Sequence, residues 1–242
     1  MTPFTPPRHA GHRRSSGSPS TPTWSVFDEL AARYDAWYDS PRGRALFEVE
    51  VDCLRPLLDV TGQPRLEVGV GSGRFAEALS IGFGLDPAWT PLELATCRSV
   101  NVVGGLGERL PFADDQFAAV VAVVTLCFAD DPRAVLDEAR RVLRRDGRLV
   151  LGVVPAESAW GRDYAELGRS GHPFYRGARF SSLREHLDLL EGSGWHVLGV
   201  RSALVRGPGD PDVDRTVYDR VVDGAGFVAI AAAPTPDRRN SY

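Results

Sequence analysis

Apolar residues recur along the first part of the chain with the spacing of a helix. They occupy positions 26, 27, 30, 31, 34, 37 and 38, which places them on one face of a predicted helix. Pro41 fits the first turn of a second predicted helix that extends to Asp59. Pro56, near the end of that helix, is expected to kink or terminate it. The segment 24–60 is therefore predicted to be helical.

From residue 65 onward, short apolar runs alternate with helical patterns. Strands are predicted at 65–70, 83–86, 101–105, 117–126, 148–154, 195–205 and 226–233, and helices at 74–80, 91–97, 131–145 and 182–194. Asp131 and Pro132 suit a helix N-cap and first turn, and Gly147 lies just past the predicted end of that helix. The alternation predicts βαβ units and a parallel sheet, and the two late strands predict an antiparallel pair.

Composition indicates one domain with two tails. Residues 1–23 are rich in Pro, Ser and Thr, so we expect a disordered tail there, a domain over 24–236 and a second tail over 237–242. The sequence has no apolar run of about 18 residues or more and no apolar signal-peptide region, which predicts no membrane span. The three cysteines form no CxxC pair, which argues against disulfides and a zinc site and favours the cytoplasm.

Charge excludes several classes of function. All 28 basic residues are arginine, so neither a Schiff-base lysine nor a Walker A lysine is available. The net charge is −4 although the N-terminal tail carries three arginines and no acid, so the body of the chain is acidic. Because nucleic-acid binding requires a cationic face, we expect no nucleic-acid partner.

The segment LEVGVGSGRF, residues 66–75, predicts a strand, a tight glycine-rich turn and the start of a helix. A dinucleotide-binding turn has its third glycine where this chain has Arg74, and a bulky residue there hinders close packing of the helix on the strand. The third glycine is instead Gly73. Glu67 precedes the turn, where a carboxylate suits a cationic ligand group better than a phosphate.

The pattern E-x-G-x-G-x-G at 67–73 resembles motif I of the class I S-adenosylmethionine-dependent methyltransferases. The block 105–154 carries LPF, DDQF, E-x-x-R-V-L and DGRLV in order, and is similar to the ubiquinone-biosynthesis-like branch (methyltransferase type 11) of that family. The segments 159–182 and 224–230 resemble a subgroup of small bacterial and archaeal methyltransferases of undetermined substrate.

This resemblance implies a fold and a reaction. The fold is a three-layer, Rossmann-like, doubly wound α/β structure with a seven-stranded sheet, mostly parallel with an antiparallel last strand. Lid helices over 24–60 and a substrate-side insert over 155–181 complete it. The implied reaction is in-line transfer of a methyl group from the cofactor S-adenosyl-L-methionine to a small-molecule acceptor.

The resemblance also implies a set of cofactor-binding residues. They are Tyr34, Glu67, Gly69, Gly71, Gly73, Asp86, Gly107, Glu108 and Thr125. Glu67 corresponds to the acid that contacts the cofactor ammonium group directly or through water, and Asp86 can bind the ribose hydroxyls or cap the next helix. Many relatives have an acid at the position of Leu106, so Glu108 either bonds the adenine or only orders its loop. Tyr34 near the sulfonium would add a cation–π attraction of roughly 0.5–2 kcal/mol.

Aromatic and arginine residues predict the acceptor site. The candidates for acceptor binding are Trp37, Phe174, Tyr175, Arg176 and Arg179. The catalytic candidates are His172, which can act as a base near neutral pH, Tyr175 and Tyr34. The arginines can clamp an anionic acceptor or form surface ion pairs, and a loop histidine can equally be exposed to solvent.

Two other functions stay open. An NAD(P)-dependent Rossmann oxidoreductase is disfavoured by Arg74 and Glu67, and a non-catalytic methyltransferase-like binding protein is left open by Leu106. Three acids alternate in the Pro/Gly-rich loop 207–224, at Asp210, Asp212 and Asp214, where we expect a solvated loop and no metal site. We expect a monomer or a homodimer without membrane partners.

Overall fold

The computed structural model describes residues 22–59 and 61–236, so the predicted tails lie outside the described residues except at positions 22 and 23. Seven strands form one sheet: β1 (Arg65–Val68), β2 (Phe83–Asp86), β3 (Asn101–Gly104), β4 (Phe117–Val123), β5 (Leu143–Val153), β6 (Trp195–Ala203) and β7 (Phe227–Pro234). Their spatial order is β3-β2-β1-β4-β5-β7-β6. The chain thus runs outward in one direction from β1 and in the other from β4, which makes the space between these two strands the switch point of the sheet.

Helices cover both faces of the sheet. In the described ranges they are α1 (Ser25–Glu29), α2 (Ala31–Trp37), α3 (Pro41–Leu58), α4 (Arg74–Ala78), α5 (Trp89–Cys97), α6 (Pro132–Val142), α7 (Ala159–Arg169) and α8 (Leu183–Gly192). Residues of α3, α4 and α5 belong to one buried apolar cluster, and residues of α6 and α8 belong to another. The two clusters lie on opposite faces of the sheet and give the predicted three layers.

Strand directions confirm the predicted sheet. β1 pairs in parallel with β2 and β4, and β4 pairs in parallel with β5. β7 is antiparallel to both of its neighbours, β5 and β6. The apolar run of β4 is buried on both faces, with Phe117, Val120 and Val121 almost inaccessible, because helices cover it above and below.

Several predicted boundaries were wrong, and each has a local cause. The helix predicted over 131–145 ends at Val142, because the carbonyl groups of Arg141 and Val142 accept hydrogen bonds from the backbone of residues 115 and 116. β5 therefore begins at Leu143, five residues before its predicted start. The predicted first helix is divided at Leu30 into α1 and α2.

The insert contains a helix that its weak periodicity did not predict. α7 begins after Ser158, whose hydroxyl accepts a hydrogen bond from the amide of Gly161 at 2.9 Å. Trp160 is buried and its ring nitrogen donates to the carbonyl of Arg206 at 2.7 Å. The indole anchors α7 to the backbone just before the polar loop 207–224. Because Trp160 and Gly161 are the only buried residues of the helix, its sequence shows little apolar periodicity.

The described part of the chain contains no helix that is long and apolar enough to cross a membrane. Within residues 22–59 and 61–236, His, Cys, Asp and Glu side chains form no group of three or more that could hold a metal ion. The loop with Asp210, Asp212 and Asp214 belongs to this range.

Candidate functional site

A cavity of about 140 Å³ opens at the carboxyl ends of β1, β2 and β4, next to the switch point of the sheet. A second cavity, beside β5 and α8, measures about 10 Å³ and is too small for a nucleoside. Seven of the residues predicted from the sequence line the larger cavity, namely Tyr34, Gly69, Gly71, Asp86, Gly107, Glu108 and Thr125. The ends of parallel strands at a switch point are where α/β sheets bind ligands.

The glycine turn is built so that the backbone itself forms the wall of the cavity. Gly69 has φ +73°, and a Cβ atom there would lie 2.5 Å from the side chain of Thr125. Gly71 has φ +50°, and a Cβ there would project into open space. Gly73 caps α4 with φ +82° and packs against Ala95, which leaves it off the cavity wall. The first two glycines therefore face ligand space, and the third permits packing.

Glu67 lies beneath this turn rather than on the cavity wall. Its side chain is almost completely buried, and its Oε2 atom has no hydrogen-bond partner within the described part of the chain. Burial raises the pKa of this carboxyl well above its usual range, and the nearby charge of Asp86 raises it further. A buried carboxylate oxygen without a partner is costly, so a cationic or donor group of a ligand would relieve it.

Asp86 joins the end of β2 to the glycine turn. Its two carboxylate oxygens accept hydrogen bonds from the amides of Gly71 and Ala88, each at 2.9 Å. Burial raises its pKa to about 6, although these two hydrogen bonds act in the opposite direction. The N-cap position of α5 is Ala88, so Asp86 fixes the backbone before the helix rather than capping it. Each oxygen can still accept one further hydrogen bond.

The wall opposite Asp86 combines apolar contact with a loop-ordering carboxylate. Leu106 is half exposed at the cavity, and Gly107 packs against Val68. One oxygen of Glu108 accepts hydrogen bonds from the amides of Asp130 and Asp131, at 2.9 and 3.4 Å. This pattern is that of a carboxylate that orders its loop, the second of the two roles considered for Glu108.

Thr125 closes the floor of the cavity after β4. Its hydroxyl donates towards the carbonyl oxygens of Val68 and Val123, both at 3.1 Å. The preceding Val124 has φ +49°, a conformation that costs energy for a β-branched residue, and this turn ends β4 three residues before its predicted end. The strained backbone places Thr125 against Gly69 and so shapes the floor.

Aromatic side chains of the lid helices cover the cavity. Tyr34 packs edge-on against Phe27 at 5.5 Å between ring centroids, and its hydroxyl lies 3.1 Å from that of Tyr38. Burial raises the pKa of Tyr34 to about 12, so its phenol is neutral at physiological pH. Trp37 lies outside this group, because its side chain is 43% exposed and does not line the cavity.

The insert contributes a second aromatic group. Phe174 packs on Tyr34 at 5.3 Å, and Tyr175 stacks on His172 at 5.0 Å. The Nδ1 atom of His172 is buried without a hydrogen-bond partner in the described ranges. The imidazole is therefore partly buried among these rings, and the three side chains pack beside the lid without lining the cavity.

The two candidate arginines of the insert differ in environment. Arg179 donates a hydrogen bond to the carbonyl of Ala129, and its own amide donates to the carbonyl of Cys127 at 2.7 Å. It therefore braces the insert against the loop after β4. Arg176 is exposed on the surface.

The sequence patterns did not indicate several residues that line the cavity or lie near it. Thr23, Trp24, Phe27 and Phe128 line the cavity, and the hydroxyl of Thr23 donates to the carbonyl of Phe128 at 3.4 Å. Glu50 of α3 lies near the tyrosines of the lid. A usable signal existed for Glu50, because it interrupts the apolar face of α3 formed by Leu46, Val49, Cys53 and Leu54.

The residues that line the cavity, together with Glu67 beneath it, fit S-adenosylmethionine. The unpartnered oxygen of Glu67 suits an ammonium group, and the open space beside Gly71 leaves room for the amino-acid end of the molecule. Asp86 has acceptor capacity for ribose hydroxyls, and Leu106 offers an apolar surface to a base. Two acceptors, open space and an apolar surface are what the ammonium, amino-acid, ribose and adenine groups of the molecule require.

Comparisons with known proteins agree with this geometry. A family model described as a methyltransferase domain matches residues 66–151. An uncharacterized protein of Mycobacterium tuberculosis is 46% identical over 212 residues, covering 87% of this chain and 74% of its own. A Thermotoga maritima demethylmenaquinone methyltransferase is 30% identical over 141 residues, covering 52% of this chain and 58% of its own.

A solved structure extends the likeness over almost the whole chain. It is described as a SAM-dependent methyltransferase, possible histamine N-methyltransferase, from Thermotoga maritima. It is 33% identical, with a TM-score of 0.79, and the match covers 87% of this chain and 99% of that one. On these grounds the chain belongs to the S-adenosylmethionine-dependent methyltransferases.

Proposed function

We propose that this methyltransferase transfers the methyl group to a small-molecule acceptor by in-line displacement. The observation that carries the proposal is the cavity itself, in which the cofactor-side residues Gly71 and Asp86 lie next to the aromatic side chains of Phe27 and Tyr34. An acceptor must approach the cofactor from the side of these rings. A cavity of about 140 Å³ between the lid helices and the sheet favours a small acceptor over a polymer.

We assign the cofactor to the residues named from the sequence, with Gly73 in a packing role against Ala95. Glu67 would hold the ammonium group directly or through water, Gly69 and Gly71 would surround the amino-acid end, and Asp86 would accept from the ribose. The adenine would lie against Gly107 and Glu108, with Thr125 below it and Tyr34 above the sulfonium. When bound, S-adenosylmethionine supplies an activated methyl group whose departure leaves a neutral thioether.

The chain contributes mainly alignment and the exclusion of water. Holding two reactants in a near-attack geometry can supply several kcal/mol of the barrier, on the order of 7–11 kcal/mol in favourable cases. The lid rings of Phe27 and Tyr34 are placed to keep water from the methyl group. A proton acceptor is needed only when the acceptor atom carries a proton.

Among the catalytic candidates, the tyrosines are poor bases. Burial raises the pKa of Tyr34 to about 12 and that of Tyr175 above its usual range, so both phenols keep their protons at neutral pH. His172 has a buried ring nitrogen free of protein partners in the described part of the chain, and stays the candidate base among the three. Phe174, Tyr175 and Trp37 are proposed acceptor contacts, with Trp37 as the outermost.

Relatives suggest two acceptor classes. The Thermotoga maritima structure is described as a possible histamine N-methyltransferase, and the match covers 87% of this chain. The demethylmenaquinone methyltransferase matches about half of this chain. Since the acceptor-side residues lie in the lid and insert, the likeness over the whole chain carries more weight, and it favours an amine.

Location and assembly follow from charge and cysteine chemistry. We propose a cytoplasmic monomer or homodimer without nucleic-acid partners, because the body is acidic and Cys53, Cys97 and Cys127 are free thiols. Size-exclusion chromatography with light scattering would distinguish the monomer from the dimer.

Calorimetric titration of the full chain with S-adenosylhomocysteine and with NADH tests the cofactor assignment. We expect binding of the first and none of the second, and Glu67→Ala should weaken the first by at least about tenfold. Binding of NADH alone would favour an oxidoreductase. Binding of S-adenosylhomocysteine without methyl transfer to any of a broad set of amines, phenols, thiols and acids would favour a non-catalytic binding protein.

A further inference from the structure

Four tyrosines from three segments converge around one carboxylate beside the cofactor cavity. Tyr34 and Tyr38 belong to α2, Tyr164 to α7 and Tyr175 to the insert, and the carboxylate is Glu50 of α3. The hydroxyls of the first two lie 3.1 Å apart, and the rings of the other two stack at 4.5 Å. Burial is the main cause of the raised pKa of all four phenols, and the negative charge of Glu50 adds to it in each.

Glu50 has no counter-charge in the described part of the chain, where no hydrogen bond or ion pair engages it. Burial raises its pKa to about 8. The residue nevertheless keeps partial accessibility, so its carboxylate borders space rather than packed atoms. The described part of the protein therefore supplies no cation to this carboxylate.

Two arginines that belong to α3 or contact it are engaged elsewhere. Arg42 lies over the ring of Trp160 and donates to carbonyl oxygens of the loop 207–224. Arg201, on the other side of α3, pairs with Asp219 at 2.6 Å. Cys53 of α3, whose pKa the charge of Glu50 also affects, is a buried thiol, and burial raises its pKa to about 12. No described basic group is thus available to neutralise Glu50.

We propose that the methyl acceptor is an amine that enters as a cation and binds between Glu50 and the four tyrosines. This inference rests on the function proposed above and names its substrate class. Aromatic faces attract a cation by roughly 0.5–2 kcal/mol each, and a carboxylate supplies the opposite charge. With a pKa of about 8, Glu50 is largely protonated near pH 7 in the empty site, and a bound ammonium group favours its ionised form. An anionic acceptor would be repelled by that ionised form and would gain nothing from it.

Glu50 also has a part in the transfer. An ammonium nitrogen has no free electron pair, so it first gives one proton to the carboxylate of Glu50. The neutral nitrogen then forms a bond to the methyl carbon while the carbon–sulfur bond breaks and its electron pair stays on sulfur. The products are a methylated ammonium ion, S-adenosylhomocysteine and a protonated Glu50, which returns its proton to solvent.

Tyr34 connects the two parts of the site. It lines the cofactor cavity, and both Asp86 and Glu50 raise its pKa through their charges. Tyr34 is therefore within electrostatic range of both the proposed ribose contact and the proposed acceptor contact. An amine held at Glu50 reaches the cofactor across the face of Tyr34.

Three probes of one skeleton test the charge preference: 2-phenylethylamine, 2-phenylethanol and phenylacetate, titrated into the full chain saturated with S-adenosylhomocysteine. We expect the amine to bind at least about tenfold more tightly than the other two. Equal affinities, including no measurable binding of any probe, or tighter binding of phenylacetate, would overturn the proposal. Failure to bind S-adenosylhomocysteine in the first step would instead count against the proposed function.

Two variants assign the preference to Glu50. Glu50→Gln should lose the amine preference and keep the affinity for S-adenosylhomocysteine within about twofold. Glu48→Gln is the matched control, because Glu48 is exposed two positions away and pairs with Arg215 at 2.7 Å. It should behave as the wild type. An amine preference that survives in Glu50→Gln, shown to be folded by its S-adenosylhomocysteine binding, would overturn the proposal.

Discussion

Asp35 of the lid helix α2 binds Arg74, the residue that follows the glycine turn, through two hydrogen bonds of 2.7 and 2.9 Å. Arg98 of α5 donates to the same carboxylate at 3.0 Å, and the hydroxyl of Ser72 donates to it at 2.6 Å. Burial alone would raise the pKa of Asp35, but these hydrogen bonds lower it to about 2. Arg74 stands where a dinucleotide-binding turn has its third glycine, and here it connects the lid helix α2 to the glycine turn.

The first prediction concerns this connection. Asp35→Asn should lower the free energy of unfolding by about 1–3 kcal/mol, because it leaves partly buried arginines without their charged acceptor. It should also weaken S-adenosylhomocysteine binding by about three- to tenfold, since Tyr34 next to it loses its fixed position. Urea denaturation and calorimetric titration measure the two effects.

Asp39→Asn is the control for that prediction. Asp39 also pairs with Arg74, at 3.0 Å, but its side chain is 62% exposed. Exposed ion pairs contribute about 1 kcal/mol or less, so both stability and binding should stay close to wild type. Equal losses in the two variants would mean that charge near Arg74, and not the connection through Asp35, is what matters.

The second prediction separates backbone strain from loss of ligand space. Gly71→Ala and Gly224→Ala both place a Cβ at positive φ, +50° and +76°, with no atom within 4 Å of it. Each should therefore lose about 1–2 kcal/mol of stability. Only Gly71 lines the cavity, so only its variant should weaken S-adenosylhomocysteine binding, by at least about tenfold. Loss of binding in both variants would show that strain alone suffices.

Much of the fold could be predicted because its signals are local. The run of β4 is apolar at successive positions, and Asp131 accepts hydrogen bonds from the amides of Arg133 and Ala134 as an N-cap should. Predicted boundaries were wrong where a hydrogen bond from a distant residue ends an element. The carbonyl of Val142 accepts such a bond from the amide of Gln116, which lies 26 positions earlier in the chain than Val142. Local patterns around α6 therefore could not indicate where the helix ends.

The candidate site divides in the same way. Glu67, the glycines and Asp86 stand within about one βαβ unit, so a short motif and its family resemblance were enough to indicate them. The acceptor side is assembled from α2 and α3 near the start of the chain and from the insert with its helix α7. The helices α3 and α7 are a hundred positions apart. Glu50 can be recognised as a site residue only from the fold, because Tyr164 and Tyr175 are distant from it in sequence.

The third prediction distinguishes the two arginines of the insert. Arg179→Ala should weaken S-adenosylhomocysteine binding by about three- to tenfold, because Arg179 holds the loop that carries the cavity residues Phe128 and Ala129. Arg176→Ala, an exposed neighbour, should leave cofactor binding unchanged. Calorimetric titration of both variants gives the comparison. A larger effect at Arg176 would restore it as a ligand-binding residue.

The last prediction follows from the protonation of Glu67. Burial, with the charge of Asp86, raises its pKa well above the ordinary 4.5. Its folded pKa thus exceeds its unfolded pKa, so the stability it contributes is complete below pH 4.5 and is lost as the pH rises through the folded value. Glu67→Gln should therefore raise the melting temperature of the ligand-free protein at pH 8 while weakening S-adenosylhomocysteine binding by at least about tenfold.

The same protonation should be visible in the heat of binding. An ammonium group favours the ionised carboxylate, so binding at pH 7.5 should release up to about one proton per site from Glu67. Asp86, with a pKa of about 6, is largely ionised at that pH and adds little. Titrations in phosphate and in Tris buffer, which differ in heat of ionisation, should therefore give two different binding enthalpies for the wild type. Glu77→Gln is the control and should show the same difference, because the Glu77 carboxylate is exposed and pairs with Arg98. Equal enthalpies in the two buffers for the wild type, or an unchanged difference in Glu67→Gln, would contradict the assignment of the ammonium group to Glu67.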